Sequence, residues 1–253
     1  MAFLCAGMMV CINVYAGHVE GEEPNAAHSH DRVLITGANR GIGLALAEHF
    51  LKAGFEVIGT ARKPQKAEAL VQLGVRVERL DVTDQSSVDA LAQRLSGVDI
   101  DILINNAGVG GTNAKKMADI DIESMRWVLD VNTLGPTRVM QALFPNVLAG
   151  DRKVIANISS QMGSLEKNTW GCCAGYRASK SALNSINQTF AVDFADTGVA
   201  FVVFHPGSVK TDMNRGGSIS TEESAAGLLK VISGLNASNN GDFLDWRGNP
   251  IPW

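Results

Sequence analysis

A chain of 253 residues, 45% hydrophobic and 19% charged, carries enough apolar material to fold around its own core. Its formal net charge of −4 comes without a basic cluster, which argues against a partner gripped through a phosphate backbone, so no nucleic acid is expected. The four cysteines, Cys5, Cys11, Cys172 and Cys173, form no CxxC pair, and no His/Cys spacing resembles a zinc site, so no metal is expected. Because adjacent cysteines seldom bridge, Cys172 and Cys173 are read as reduced thiols, which suits a reducing compartment.

Residues 1–30 differ from the rest. Ala2 to Gly17 is apolar apart from Asn13, and a polar stretch, His18 to His30, follows. The apolar run ends in Val-Tyr-Ala at Ala16, like a signal peptide, yet no Lys or Arg precedes it. It is also shorter than the ~20 residues of a spanning helix. The reading is a dispensable extension or an early start codon ahead of a cytoplasmic protein with no membrane partner; export is the lesser alternative.

From Asp31 onward strands and helices alternate. Arg32 to Thr36 is a short β-branched run ending at a glycine, as a buried strand should be. Ile42, Leu46 and Phe50 then recur at helical spacing, and Gly54 caps the helix. Strands are expected at Phe55–Thr60, Val75–Leu80, Asp101–Asn105, Lys153–Ser159, Val199–Phe204 and Asp242–Trp246. Helices are expected at Pro64–Leu73, Asp84–Leu95, Ile122–Leu148, Tyr176–Ala195 and Glu222–Leu235, with Ala182, Ile186 and Phe190 forming the apolar stripe of the fourth. Such alternation requires parallel pairing through right-handed crossovers. The expected fold is α/β: a single doubly wound Rossmann-type parallel sheet of about seven strands, with helices on both faces, in one domain from 31 to 253.

Thr36-Gly-Ala-Asn-Arg-Gly-Ile-Gly43 joins the first strand to the first helix. Gly37 permits a tight turn, Gly41 lets backbone approach a pyrophosphate, and Gly43 allows the helix to pack on the strand; the helix N-terminus then holds the anion. Gly37, Asn39, Arg40, Gly41, Ile42 and Gly43 are thus candidate dinucleotide contacts. An NAD-type site wants a carboxylate at the end of the second strand for the ribose hydroxyls. Here that position is Ala61, followed by Arg62. A small residue there, with Arg40 and Arg62 and no acid at that position, suits a 2′-phosphate, so the expected cofactor is NADP(H) rather than NAD(H).

Tyr176 and Lys180 stand at i and i+4, so they share one helix face with Cβ atoms ~6 Å apart. A phenol ordinarily titrates near 10. An ammonium ~5 Å away at an effective dielectric of ~20 stabilises phenolate by ~3 kcal/mol, which brings the group toward neutral working range. Ser159 and Ser160 are neighbours on a strand, so their side chains point to opposite faces.

The GxxxGxG spacing resembles that of the short-chain dehydrogenase/reductase superfamily, and further pieces of that family follow in order. Leu80-Asp-Val82 resembles its adenine-contacting segment, Asn105-Asn-Ala-Gly108 its NNAG motif, and Asn132 its long-helix asparagine. Asn157-Ile-Ser-Ser160 resembles its serine motif, Tyr176-Arg-Ala-Ser-Lys180 its YxxxK, and Pro206-Gly-Ser-Val-Lys-Thr211 its nicotinamide-side segment. The ending Gly241 to Trp253 resembles the C-factor-like and sniffer-like carbonyl reductases.

The resemblance implies a catalytic set of Asn132, Ser160, Tyr176 and Lys180: proton donor Tyr176, carbonyl-orienting Ser160, ribose-holding Lys180, and Asn132 keeping a relay water. It adds Asp81, Val82, Asn105, Ala107, Gly108, Tyr176, Lys180, Pro206, Gly207, Val209 and Thr211 to the cofactor contacts. Ser160 lies sixteen residues before Tyr176, three more than the family spacing, and the excess falls in Gly163–Gly175 beside the substrate. The implied partner is a small carbonyl or alcohol substrate, read by 161–173 and 214–220, and a homodimer or homotetramer is a further expectation. The alternative is a C-factor-like signalling protein with little turnover. A sugar-nucleotide epimerase would need more chain than follows the sixth strand.

Overall fold

The computed structural model describes residues 31–112, 114 and 116–253, so expectations about the first 30 residues lie outside it. Seven strands form one sheet: β1 (Arg32–Ile35), β2 (Glu56–Ala61), β3 (Arg76–Arg79), β4 (Ile102–Asn105), β5 (Val154–Ile158), β6 (Ala200–His205) and β7 (Phe243–Asp245). Their order is β3-β2-β1-β4-β5-β6-β7, and every pairing is parallel. The expected doubly wound sheet is therefore the observed one. The order reverses between β1 and β4, whose partners Ile35 and Ile104 stand side by side. A crevice opens beyond the strand ends at that switch point.

Alternation along the strands divides the core in two. Val33 and Ile35 face α1 (Gly41–Lys52) and α7 (Thr221–Ile232), where Leu46, Phe50 and Leu228 are wholly buried. Leu34 points the other way, into Leu91 of α3 (Gln85–Arg94) and Val139 and Leu143 of α5 (Gly135–Ala149). Truncating a residue such as Leu34 to Ala would cost about 2–5 kcal/mol through lost burial and a cavity.

Three expected helices differ in detail. The stretch after Pro64 breaks into a 3-10 turn, Pro64–Lys66, and α2 (Glu68–Gln72). The long helix after Ile122 is interrupted: α4 (Ile122–Leu129) runs into a π turn, Asp130–Leu134, before α5. Pro136 has no N–H, so the Asn132 carbonyl loses its α-helical donor, and the ladder reopens through Gly135 N–H to Asp130 O. Finally, α6 (Ala174–Asp193) buries Ser179, Lys180, Asn184 and Asn187, not the Ala182–Ile186–Phe190 stripe, because its inward face carries polar machinery. Ile186 and Phe190 flank that face as partly buried neighbours of the core.

Candidate active site

The glycine segment lies over the end of β1. Gly37 and Gly41 have φ of 67° and 56°, backbone that only glycine adopts without strain. A Cβ on Gly43 would collide with the Gly37 carbonyl and the Asn106 amide, so the helix reaches the strand this closely only because that position is bare. Arg40 precedes α1 without a side-chain cap, and the first turn carries no acid. Its N–H groups and positive end are thus turned to the crevice without a side chain of the cap satisfying them, the environment an anionic pyrophosphate requires. Thr211 hangs over this turn, its Cγ2 3.8 Å from where a Gly41 Cβ would stand. These features fit the dinucleotide that the motif implies.

Thr36 ties the glycine loop to the end of β4: its hydroxyl accepts from the backbone N–H groups of Asn106 and Ala107, each at 3.0 Å. The Asn106 amide donates in turn to Thr36 O and Gly37 O. Asn105 behaves differently. Its side chain is buried and donates to Asn157 Oδ1 at 2.9 Å, Asn157 donates to Asn187, and Asn187 donates to Phe201 O. Three amides thus stitch β4, β5, α6 and β6 together inside the molecule, while Asn105 Oδ1 stays buried without a hydrogen-bond partner. Asp81 accepts through Oδ1 from the N–H and hydroxyl of Thr83. Val82 is buried, with its carbonyl bonded to Arg138.

The two arginines are not alike. Arg62 is exposed beyond the buried Ala61. Arg40 pairs with Asp212 at 2.9 Å, both side chains lying mostly in solvent. The motif reading did not include Asp212, which stands one residue past Thr211 and becomes Arg40's neighbour only through the fold. On the far side, the Pro206 carbonyl accepts from Ser224 Oγ, Gly207 has φ 91°, and Val209 is buried and bridges to Ile219.

The strand-five serines separate as the pleat requires. Ser159 Oγ donates to Asn184, while Ser160 Oγ accepts from Met162 N–H and is hydrogen-bonded to the Tyr176 hydroxyl. Lys180 is buried; its ammonium donates to Ile158 O at 2.8 Å and lies 5.9 Å from the centre of the Tyr176 ring. Burial lowers the Lys180 pKa to about 8. Burial also raises the Tyr176 phenol, opposed by the bond from Ser160. The phenol is therefore not brought down, contrary to the expectation from the Tyr-Lys spacing: both groups lose water, and burial moves the phenol up and the ammonium down.

Asn132 sits wholly buried in the π turn. It accepts from Val109 N–H at 2.8 Å and donates to Val109 O and to Ser179 Oγ. A Cβ on Gly108 would lie 3.3 Å from Asn132 Oδ1 and 3.8 Å from Lys180 Nζ, so Gly108 is the thin wall between them. Ser179, absent from the expected set, is the fixed point of this cluster, since its hydroxyl also donates to Tyr176 O. Four side chains from three separate elements thus meet at the open ends of β4 and β5.

One expectation fails outright. Cys172 and Cys173 are joined as a vicinal disulfide. Gly171, Cys172 and Cys173 have φ of 68°, 64° and 56°, a left-handed run that brings the adjacent sulfurs together. A count of cysteines cannot foresee that backbone.

A profile described as short chain dehydrogenase matches residues 31–221. The chain belongs to the short chain dehydrogenase family. As a family member it is an oxidoreductase. It is 41% identical to C-signal of Myxococcus xanthus over 157 residues, 61% of this chain and 93% of that protein. The crystal structure of NADPH-bound carbonyl reductase from chicken fatty liver superposes with a TM-score of 0.82 at 33% identity, covering 90% of this chain and 97% of that one. Carbonyl reductase Sniffer of D. melanogaster superposes with a TM-score of 0.83 at 27% identity, covering 89% and 100%. The C-factor-like and sniffer-like resemblance holds beyond the chain's ending: C-signal matches in sequence over 61% of the chain, and Sniffer superposes over 89% of it. No helix among the described residues of this short chain dehydrogenase is long and apolar enough to cross a membrane.

Proposed function

We propose that the chain is an NADP(H)-dependent carbonyl reductase that converts a small aldehyde or ketone to its alcohol, or runs the reverse. The observation that carries this reading is the bond between the Ser160 and Tyr176 hydroxyls beside a buried Lys180, at the mouth of a crevice whose other wall is an uncapped helix N-terminus. When bound, the nicotinamide supplies a hydride to the carbonyl carbon. Tyr176 gives the proton to the carbonyl oxygen, and Ser160 orients that oxygen and stabilises its developing charge.

Lys180 holds the nicotinamide ribose, and its ammonium favours the phenolate that remains after proton transfer. Asn132 maintains the proton relay. Its amide is committed to Val109 and Ser179, so the relay water falls to its main-chain carbonyl, which Pro136 has released from helical bonding. Arg62, and Arg40 once it leaves Asp212, grip the 2′-phosphate, while Ala61 leaves that corner without a competing acid. NADP(H) is bound by the glycine segment from Gly37 to Gly43, by Ala107 and Gly108, and by Pro206, Gly207, Val209 and Thr211. Residues 31–253 act as one domain, and the preceding 30 are dispensable.

A panel of aldehydes and ketones, followed by loss of nicotinamide absorbance with NADPH and with NADH, tests the reading. Turnover of at least one carbonyl with a higher kcat/KM for NADPH is expected. Tight cofactor binding with no turnover of any carbonyl would favour a signalling role.

A further inference from the structure

The segment between Ser160 and the start of α6 is held at two places. At its head, Gln161–Gly163 forms a turn capped by Ser160. At its tail, the Cys172–Cys173 disulfide closes a small ring through one peptide bond, directly before Ala174, and Cys173 is the residue that opens α6. Arg177, next to Tyr176 on that helix, is buried and holds the segment. Its Nε donates to Gly171 O at 3.0 Å and Cys172 O at 3.1 Å, and its backbone N–H donates to Cys173 O at 2.9 Å. The guanidinium lies 4.3 Å over the Trp170 ring. Gln161, Met162, Thr169, Trp170 and Arg177 line a cavity of about 350 Å³ beside this segment. The three carbonyls that Arg177 holds all belong to the left-handed run of Gly171, Cys172 and Cys173, and both cysteines remain partly exposed.

We propose that Cys172 and Cys173 are a reversible thiol–disulfide site that sets the shape of the substrate-side segment 161–173. An external dithiol attacks one sulfur, the Cys172–Cys173 bond breaks, two electrons and two protons convert the pair to thiols, and the dithiol leaves as its own disulfide. A disulfide of the same class reverses the step. The bond keeps two non-glycine residues in left-handed backbone; once it is cut, they relax toward ordinary φ, which costs them less. Their carbonyls then turn away from Arg177, Trp170 loses its anchor, and the cavity changes form. The oxidised and reduced proteins therefore differ in KM for carbonyl substrates more than in kcat, since Tyr176, Ser160 and Lys180 keep their own bonds.

The experiment uses the full chain, incubated with either dithiothreitol or oxidised glutathione. Differential alkylation with peptide mapping reads the cysteines, and amide hydrogen exchange reads the segment. Cys172 and Cys173 are expected to be unreactive to alkylation after oxidation and alkylated after reduction. Exchange across 161–175 is expected to rise about tenfold or more on reduction, with the strands unchanged. A C172S/C173S protein should exchange like the reduced form under both conditions. For any carbonyl turned over, KM should shift about threefold or more between the two states. That kinetic arm rests on the carbonyl-reductase reading; the alkylation and exchange arms do not, so a failure of one is told apart from a failure of the other. Free thiols after oxidation, or identical exchange in both states of the wild-type chain, would overturn the proposal.

Discussion

Arg40 and Asp212 meet at 2.9 Å although 172 residues separate them, and the pair ties the glycine turn to the loop that follows Pro206. Both side chains are largely solvated, so the pair itself is worth at most about 1 kcal/mol and weakens with salt. Its consequence lies in competition: while Arg40 serves Asp212, it is not available to a 2′-phosphate. Asp212→Asn is expected to lower the Kd for NADPH by about two- to fivefold, an effect no larger than the pair is worth, and to leave the Kd for NADH nearly unchanged. Arg62→Asp is expected to do the opposite, weakening NADPH and favouring NADH. Fluorescence titration with each cofactor checks both. Unchanged NADPH affinity in both variants would remove the arginines from cofactor choice.

Tyr176→Phe deletes the hydroxyl bonded to Ser160 and leaves the ring in place. NADPH binding should stay near normal while kcat falls by about 10²–10⁴, the range for losing a positioned acid. Steady-state kinetics beside a cofactor titration separates the two effects. A variant with most of its turnover would remove Tyr176 as donor.

Lys180 gives a prediction about stability. Its folded pKa is depressed to about 8 from 10.5, so the unfolded chain binds this proton more tightly. The cost of burying the ammonium is fully present below the folded value and disappears as pH rises from about 8 toward 10.5, with an upper bound of ~3 kcal/mol. Lys180→Met should abolish turnover yet melt higher at pH 7, by about 2–4 °C per kcal/mol gained after the lost bond to Ile158 is subtracted. The advantage should shrink when melting is repeated near pH 10. A variant that melts lower at pH 7 would show the buried ammonium and its bond to Ile158 to be net stabilising.

At the start of the described chain, Asp31 is buried and pairs with Arg152 at 2.6 Å, while Arg152 also lies over Phe55. Deleting residues up to about Ala27 spares this pair and all of β1, and should leave the melting temperature and turnover unchanged. Asp31→Ala strands a mostly buried guanidinium and should cost about 3–5 kcal/mol. Differential scanning calorimetry of both variants beside the full chain decides. A truncated protein that melts ten or more degrees lower would mean that the deleted segment packs on the sheet.

Strand and helix alternation, the glycine spacing and the Tyr-Lys pair were legible along the chain because each is local. A period of two or of 3.6, a backbone that only glycine allows, and a four-residue helical offset all act between near neighbours. Even the break at Asn132 has a local cause, since Pro136 removes a donor four residues on. Other features depend on distance in space. The amide chain from Asn105 through Asn157 to Asn187, the hold of Ser179 on Asn132, and the reach of Asp212 to Arg40 join segments tens of residues or more apart. No window of sequence contains both partners. The buried polar face of α6 was misread for the same reason, because burial belongs to what packs on a helix and not to the helix alone. The phenol and ammonium moved as they did because desolvation scales with the whole surrounding fold, whereas the pair interaction depends only on their four-residue spacing. The disulfide, too, waited on three left-handed residues in a row, Gly171 to Cys173, a backbone that the identity of two cysteines does not reveal.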